Sequence, residues 1–270
     1  MIKKTVNKFT SSLRFQLSAS NNPLFIGFYK YFYKPKEGSL SAFLDAYSKS
    51  KVNELTVIQV GANDGITHDP IHKFIKRDKW KGVLLEPQSH VFENYLKKIY
   101  QKNKGLHTLC AALGSSDGKE TLYKVGFSNM RWATGLASFQ RDVLEKAFTT
   151  GMVQSQCEKY NIQIPEASKQ IVSEEVMIIS PETLLEKYQI NNIDLLQIDT
   201  EGFDFEIIRI FQIDKFRPRA IIYENTHLSQ SDKQLCLEHL AKHNYKVKNF
   251  GANTLALLEP VGDFKRFFEA

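Results

Sequence analysis

Two groups of residues have the types and spacing to do chemistry. In the first, Gly61-Ala-Asn-Asp-Gly65 follows an apolar run at residues 55–60, and Glu86 closes the next apolar run twenty-five residues after Gly61. Glycines let a backbone turn tightly and approach a ligand with no Cβ in the way. An acid at the end of the following strand can accept hydrogen bonds from ribose hydroxyls. In the second group, Asp199-Thr-Glu201-Gly202 ends one apolar run, and Glu224-Asn225-Thr-His227 ends another. The hard oxygen donors of Asp199, Glu224 and Asn225 suit one Mg²⁺ ion. A hydroxyl is a poor nucleophile at neutral pH, so a base must take its proton or a metal must lower its pKa. The candidates for the base are His227, then His68 beside Asp69, then Asp199. Plainer roles compete: Asp69 before Pro70 reads as a helix cap, Asp199 or Asp204 can cap a helix after a strand, and both histidines can be surface residues.

The loop itself discriminates between cofactors. Asp64 sets a negative charge where a dinucleotide would place its pyrophosphate, and like charges repel. Only two glycines stand where the dinucleotide fingerprint has three. A cofactor with a cationic amino-acid end is attracted instead. The loop therefore disfavours NAD and favours S-adenosylmethionine, whose sulfonium and amine are positive.

Both groups need strands that end side by side. Residues 55–60, 82–86, 106–113, 193–199 and 219–224 are short β-rich apolar runs. Such runs indicate burial on both faces, as in a parallel sheet. Helical stretches lie between them at 70–79, 91–101, 203–211 and 230–243, and Ser180-Pro181 starts another through Tyr188. The alternation predicts a doubly wound α/β domain. Residues 245–250 and 254–258, joined by Gly251-Ala-Asn253, predict a terminal hairpin. Residues 126–173 interrupt the rhythm with Arg131, Trp132 and Phe139, and predict either a lid or a peripheral helical decoration.

With 270 residues, the chain suits one large domain with an extension. Its 42% apolar and 24% charged residues exclude disorder and a membrane-spanning bundle. Cys110, Cys157 and Cys236 form no C-x-x-C pair, which argues against a disulfide scaffold or zinc site and for a reducing, cytoplasmic setting. The net charge of +6 is concentrated in the first 36 residues, which hold seven lysines and arginines and no acid. Taking that +7 from +6 leaves −1 for the rest, so the body has no basic excess for nucleic acid. Residues 1–50 are assigned as a basic aromatic arm, 51–260 as the main domain and 261–270 as a tail. Aromatic side chains beside lysines in the arm suit either an anionic membrane surface or packing against the body.

Several segments together resemble the FkbM-type methyltransferases: Val60-Gly-Ala-Asn-Asp-Gly65, Asp69-Pro70, Trp80-Lys-Gly-Val-Leu-Leu-Glu-Pro87, Thr134-Gly-Leu-Ala-Ser-Phe139, Ile193-Asp-Leu-Leu-Gln-Ile-Asp-Thr-Glu-Gly202 with Asp204, and Asn253-Thr-Leu-Ala256. The resemblance covers about residues 53–258. It implies a Rossmann-like class I fold, with a mostly parallel seven-stranded sheet and an antiparallel terminal strand. It also implies S-adenosylmethionine as methyl donor, and usually transfer to a hydroxyl of a sugar or secondary metabolite. By position, Gly61, Asn63 and Gly65 would line the methionine end of the cofactor, Glu86 would hold the ribose, and residues near Ala112 would lie by the adenine. Asp199, Glu224 and Asn225 stand like the metal set of catechol-type and macrolide-sugar O-methyltransferases, although close relatives lead one to expect His at position 225.

The expected function is thus O-methylation of a hydroxyl on a saccharide, glycolipid or secondary metabolite. Nucleic-acid or protein N-methylation is the main alternative. The amino-methylases of bases carry Asn/Asp-Pro-Pro-aromatic after the fourth strand, where this chain has Asp-Thr-Glu-Gly. A sugar oxidoreductase would need the third glycine and a Tyr-x-x-x-Lys pair. A binding module without turnover would not need the loop and Glu86 intact.

Overall fold

The computed structural model of the protein describes residues 2–51, 54–260 and 262–269, with side chains from residue 10 onward. The side chains of Lys3, Lys4 and Lys8 in the arm lie outside the described residues, as do residues 261 and 270 of the tail.

Strands β1 (Thr56–Val60), β2 (Lys81–Leu85), β3 (Leu106–Leu109), β4 (Ala112–Leu113), β5 (Gly118–Val125), β6 (Ile171–Ile179), β7 (Leu195–Ile198), β8 (Ala220–Glu224), β9 (Tyr245–Phe250) and β10 (Asn253–Leu258) follow one another along the chain. Seven of them form one sheet in the order β3-β2-β1-β7-β8-β10-β9. The β1–β2, β1–β7, β2–β3 and β7–β8 pairs are parallel, and β10 runs antiparallel to both its neighbours. The expected Rossmann-like sheet with an antiparallel last strand is therefore present. That strand is last in sequence and lies between β8 and β9 in space.

Side-chain alternation splits the sheet between two cores. Val57, Leu84, Leu195 and Ile222 point to one face with Phe43, Phe74 and Trp80. Ile58, Val83, Leu196 and Ile221 point to the other with Leu184, Phe211 and Leu240. Each such fully buried side chain contributes roughly 1.5–3 kcal/mol. Two-sided burial explains why the parallel strands read as unbroken apolar runs.

Two features depart from the sequence reading. The run at 106–113 is not one strand: it breaks at Cys110-Ala111, and β4 leaves to join β5 and β6 in a second sheet ordered β4-β6-β5. Strand β5 carries Lys119, Glu120 and Lys124 with half its residues exposed, and β6 is interrupted by Glu174-Glu175, so neither reads as an unbroken apolar run. Between them lie helices Arg131–Thr134, Arg141–Thr149 and Met152–Tyr160.

The arm is folded. Helix Ile2–Ala19 leads through Asn22, whose side chain caps Pro23–Gly27, into a π-helical turn at Phe28–Phe32. Phe15 and Tyr33 pack against the main core. Helix Leu40–Ser50, capped by Ser39, falls within the arm as divided from sequence, yet its Leu40, Phe43, Leu44 and Tyr47 belong to that core. Phe43 and Tyr47 meet Phe264 of the C-terminal 3-10 helix Gly262–Phe267, and Phe43 also meets Phe267.

Candidate active site

The loop after β1 and the turn after β7 are pressed together at Gly61. Asp199 N donates to Val60 O at 3.0 Å, and Gly61 N and Ala62 N both donate to Leu85 O. Gly61 has φ +80°, and a Cβ there would lie 2.0 Å from Asp199 O. Only glycine permits that approach. Gly65, at φ +72°, has the same freedom and sits against Leu96 and Tyr100.

The loop is held from behind by a buried polar chain. Tyr100 Oη donates to Gly65 O at 2.9 Å, His72 Nδ1 lies 3.0 Å from Tyr100 Oη, and His72 Nε2 lies 3.2 Å from Ser18 Oγ. Burial first, then the charges of Lys76 and Arg14, hold the His72 pKa well below its usual value. A neutral ring donating through Nδ1 and accepting from Ser18 satisfies every member. The arm thus reaches the glycine loop through two side chains.

Glu86 stands at the end of β2, as expected, and is buried. Its Oε2 accepts from Asn63 N at 2.9 Å, and its Oε1 accepts from Gln88 N at 2.9 Å and Gln88 Nε2 at 3.2 Å. Burial pushes its pKa up to about 7, against those backbone donors. A carboxylate has about four acceptor positions, so one stays open for a ligand hydroxyl. Asn63 takes a positive φ of 46°, and its side chain caps Asp64 N and meets Thr134 Oγ1 at 3.4 Å. Asp64 Oδ1 accepts from Ile66 N and Thr67 N, so it shapes the loop that carries it. Asp69 Oδ1 accepts from Ile71 N and His72 N in the turn that leads into helix His72–Asp78. Burial raises its pKa to about 6. Ala112 packs with Leu122, Val176 and Ile178 in the second sheet. The adjoining Cys110 Sγ contacts Pro87 O, next to Glu86.

The second group of residues meets at the carboxyl ends of β7 and β8. Asp204 is fully buried and ties the two ends: Oδ1 accepts from Glu224 N, and Oδ2 from Thr200 N and Oγ1. It is structural, and burial raises its pKa to about 6. Around it, His227 Nε2 lies 3.3 Å from Glu201 Oε2 and 3.9 Å from Glu224 Oε2. Arg131 reaches Asp199 at 3.7 Å and Glu201 at 3.5 Å. Burial raises the pKa of Asp199, Glu201 and Glu224, and mutual repulsion raises the two glutamates further; Arg131 and His227 oppose the rise at all three. His68, exposed and at φ +60°, is close enough for its charge to act on Asp199.

Asn225 lies beside this rim, and its Nδ2 donates to Thr254 Oγ1 of β10 at 2.7 Å. Among the described residues, the ligand atoms that converge within 4.8 Å belong to Glu201, Glu224 and His227. This group shares Glu224 with the Asp199, Glu224 and Asn225 read from sequence for Mg²⁺, and brings Glu201 and His227 to it. An imidazole in the set makes it unlike the all-oxygen shell that Mg²⁺ demands.

Arg131 and Gln88 were not singled out as site residues from sequence. Arg131 lies in the insertion, and only tertiary packing brings it to the rim. Its short helix spans both halves of the site: Thr134 O accepts from Gln88 Nε2 at 2.9 Å, and Gly135 leaves space where a Cβ would lie 2.7 Å from Glu201 Oε1. Trp132 Nε1 beside it is buried and has no hydrogen-bond partner among the described residues. These residues fit S-adenosylmethionine, because the glycine loop leaves backbone room, Glu86 keeps an open acceptor, and the rim is acidic toward a cation.

No curated protein matches the chain. The FkbM methyltransferase of Methylobacillus flagellatus KT aligns with 93% of this chain and 60% of its own, at TM-score 0.43 and 10% identity. The METTL16 methyltransferase domain aligns at TM-score 0.41 and 10% identity over 80% of this chain, which spans only 63% of that one. A precorrin-6y C5,15-methyltransferase from Geobacter metallireducens GS-15 aligns at TM-score 0.38 and 11% identity, over 85% of this chain and 95% of its own. The model of the methyltransferase FkbM domain matches residues 59–248, from the end of β1 into β9. The chain therefore belongs to the FkbM methyltransferase family, and is an S-adenosylmethionine-dependent methyltransferase.

Proposed function

We propose that the enzyme methylates a hydroxyl of a saccharide, glycolipid or secondary metabolite, with His227 taking the proton. The observation that carries this reading is the His227–Glu201 pair at 3.3 Å, on the rim beside Gly61 and Asp199. When bound, S-adenosylmethionine supplies an electrophilic methyl group on a positive sulfur. Gly61, Asn63, Asp64 and Gly65 would line its amino-acid end, Glu86 would accept from its ribose, and residues near Ala112 and Cys110 would flank its adenine. Glu201 accepts from His227 Nε2–H and fixes the tautomer, which leaves Nδ1 to receive the acceptor's proton. The imidazolium formed is then stabilised by Glu201 and Glu224. Arg131 balances the acids of the rim. His68 and Asp199 border the same opening.

A metal-assisted variant is favoured by one observation, the convergence of Glu201, Glu224 and His227. The imidazole ligand fits a transition ion better than Mg²⁺.

The test is methyl transfer from labelled S-adenosylmethionine to panels of saccharides, glycolipid extracts, RNA and protein, with wild type and His227→Gln. Hydroxyl methylation that falls about 100-fold in the variant, with cofactor affinity kept, is expected. Preferred methylation of RNA or protein amines would overturn the reading. Loss of activity in EDTA that added metal restores would favour the metal variant.

A further inference from the structure

The arm presents an apolar stripe to solvent. Leu24, Phe28, Tyr31 and Phe32 are 85%, 52%, 68% and 74% exposed. They line one side of the α-helix Pro23–Gly27 and the π-helical turn that follows it, and an apolar stripe of this kind normally points to a core. Here it points away from one. Phe28 and Phe32 stack with ring centroids 6.3 Å apart, which keeps the stripe continuous.

The opposite side of the same segment is fixed to the body. Tyr33 meets Phe74 edge-on, and Lys73 lies over the Tyr33 ring. Just ahead of it, Lys76 Nζ, buried, donates to Asn21 Oδ1 at 2.7 Å, to Ile99 O and to Asn103 Oδ1. The stripe is therefore held in place and aimed outward.

Its surroundings carry charge of one sign. Lys30, Lys34 and Lys36 are exposed around it, and no acid occurs before Glu37. A second copy of the same stripe would bring like charges together, whereas an anionic surface would attract them. Among the described residues no helix is long and apolar enough to cross a membrane. The geometry points to a face that lies on an anionic lipid bilayer, with Leu24, Phe28, Tyr31 and Phe32 entering the interface and the three lysines meeting lipid headgroups. This inference stands apart from the acceptor reading, because it uses no residue of the active site.

Co-sedimentation of the full chain with vesicles tests it. The protein binds vesicles of phosphatidylcholine containing phosphatidylglycerol, and binds vesicles of phosphatidylcholine alone at least about tenfold more weakly. The double variant Phe28→Glu, Phe32→Glu and the triple variant Lys30→Gln, Lys34→Gln, Lys36→Gln each lose about tenfold or more in partition. Unchanged S-adenosylmethionine binding by both variants shows that they are folded. Four results would overturn the inference: no binding to the anionic vesicles, equal binding to both vesicle types, wild-type binding by the glutamate variant, or a lipid-free dimer that the glutamate variant converts to monomer.

Discussion

At the scale of single residues, Gly61 and Glu86 bear the heaviest constraints. Gly61→Ala sets a Cβ 2.0 Å from Asp199 O, at a φ of +80° that L-residues rarely adopt. The strand ends must separate to admit it. We expect a loss of about 2 kcal/mol or more, read as a melting point roughly 4–8 °C lower, together with loss of S-adenosylmethionine binding by calorimetry. Wild-type binding would show that the loop does not touch the cofactor. Glu86 gives a pH signature. Burial raises its pKa from 4.5 to about 7, so the folded state favours the neutral carboxyl. That contribution is complete below the unfolded value and is lost as pH rises through about 7. Glutamine does not titrate. The melting point of Glu86→Gln should therefore gain on wild type between about pH 5 and about pH 8, and a constant difference would refute the burial account.

At the scale of elements, the helix Arg131–Thr134 lies across both halves of the site. Its ion pairs to Asp199 and Glu201 are 3.7 Å and 3.5 Å long and partly exposed. Such pairs are worth about 0–1 kcal/mol each, so the element is held lightly. Arg131→Ala should leave the melting point within about 2 °C of wild type while speeding proteolysis within residues 126–170. Bound S-adenosylmethionine should slow that cleavage in wild type; equal rates with and without cofactor would mean that the helix is not part of the site. The insertion was visible in the sequence as a break in the strand–helix rhythm. Its contacts were not, because Asn63 and Thr134 are 71 positions apart. Strands β5 and β6 leave a weak signal for a different reason: they pair in a small, partly exposed sheet, where Lys119, Glu120 and Glu175 face water and Lys124 pairs with Glu174.

At the scale of the whole molecule, the arm is part of the folded body. Ser18 ends the polar chain that reaches Gly65, Phe15 and Tyr33 fill the edge of the main core, and Asn21 accepts from buried Lys76. Burial lowers the Lys76 pKa to about 7, and its three oxygen acceptors satisfy it without a carboxylate. Deleting residues 2–36 would uncover apolar surface and leave Lys76 and His72 each short of a partner. We expect the melting point to fall by roughly 5 °C or more and cofactor affinity to weaken through the Gly65 loop. A truncated chain as stable as the full one would return the arm to the status of a tether.

The sequence by itself determined most strand runs of the main sheet, the Gly61–Gly65 loop, the acid at the end of β2, the acids and histidine beyond β7 and β8, and the family. These are local: two-sided burial writes unbroken apolar runs, and chemistry requires particular residue types at strand ends. Tertiary structure alone decided how they combine. It inserted β10 between β8 and β9, turned Asn225 to Thr254, and set His227 against Glu201. It also laid Arg131 across the rim and packed the arm behind the glycine loop. The physical reason is that hydrogen bonds and ion pairs between distant segments depend on which faces meet. Local periodicity carries no record of that.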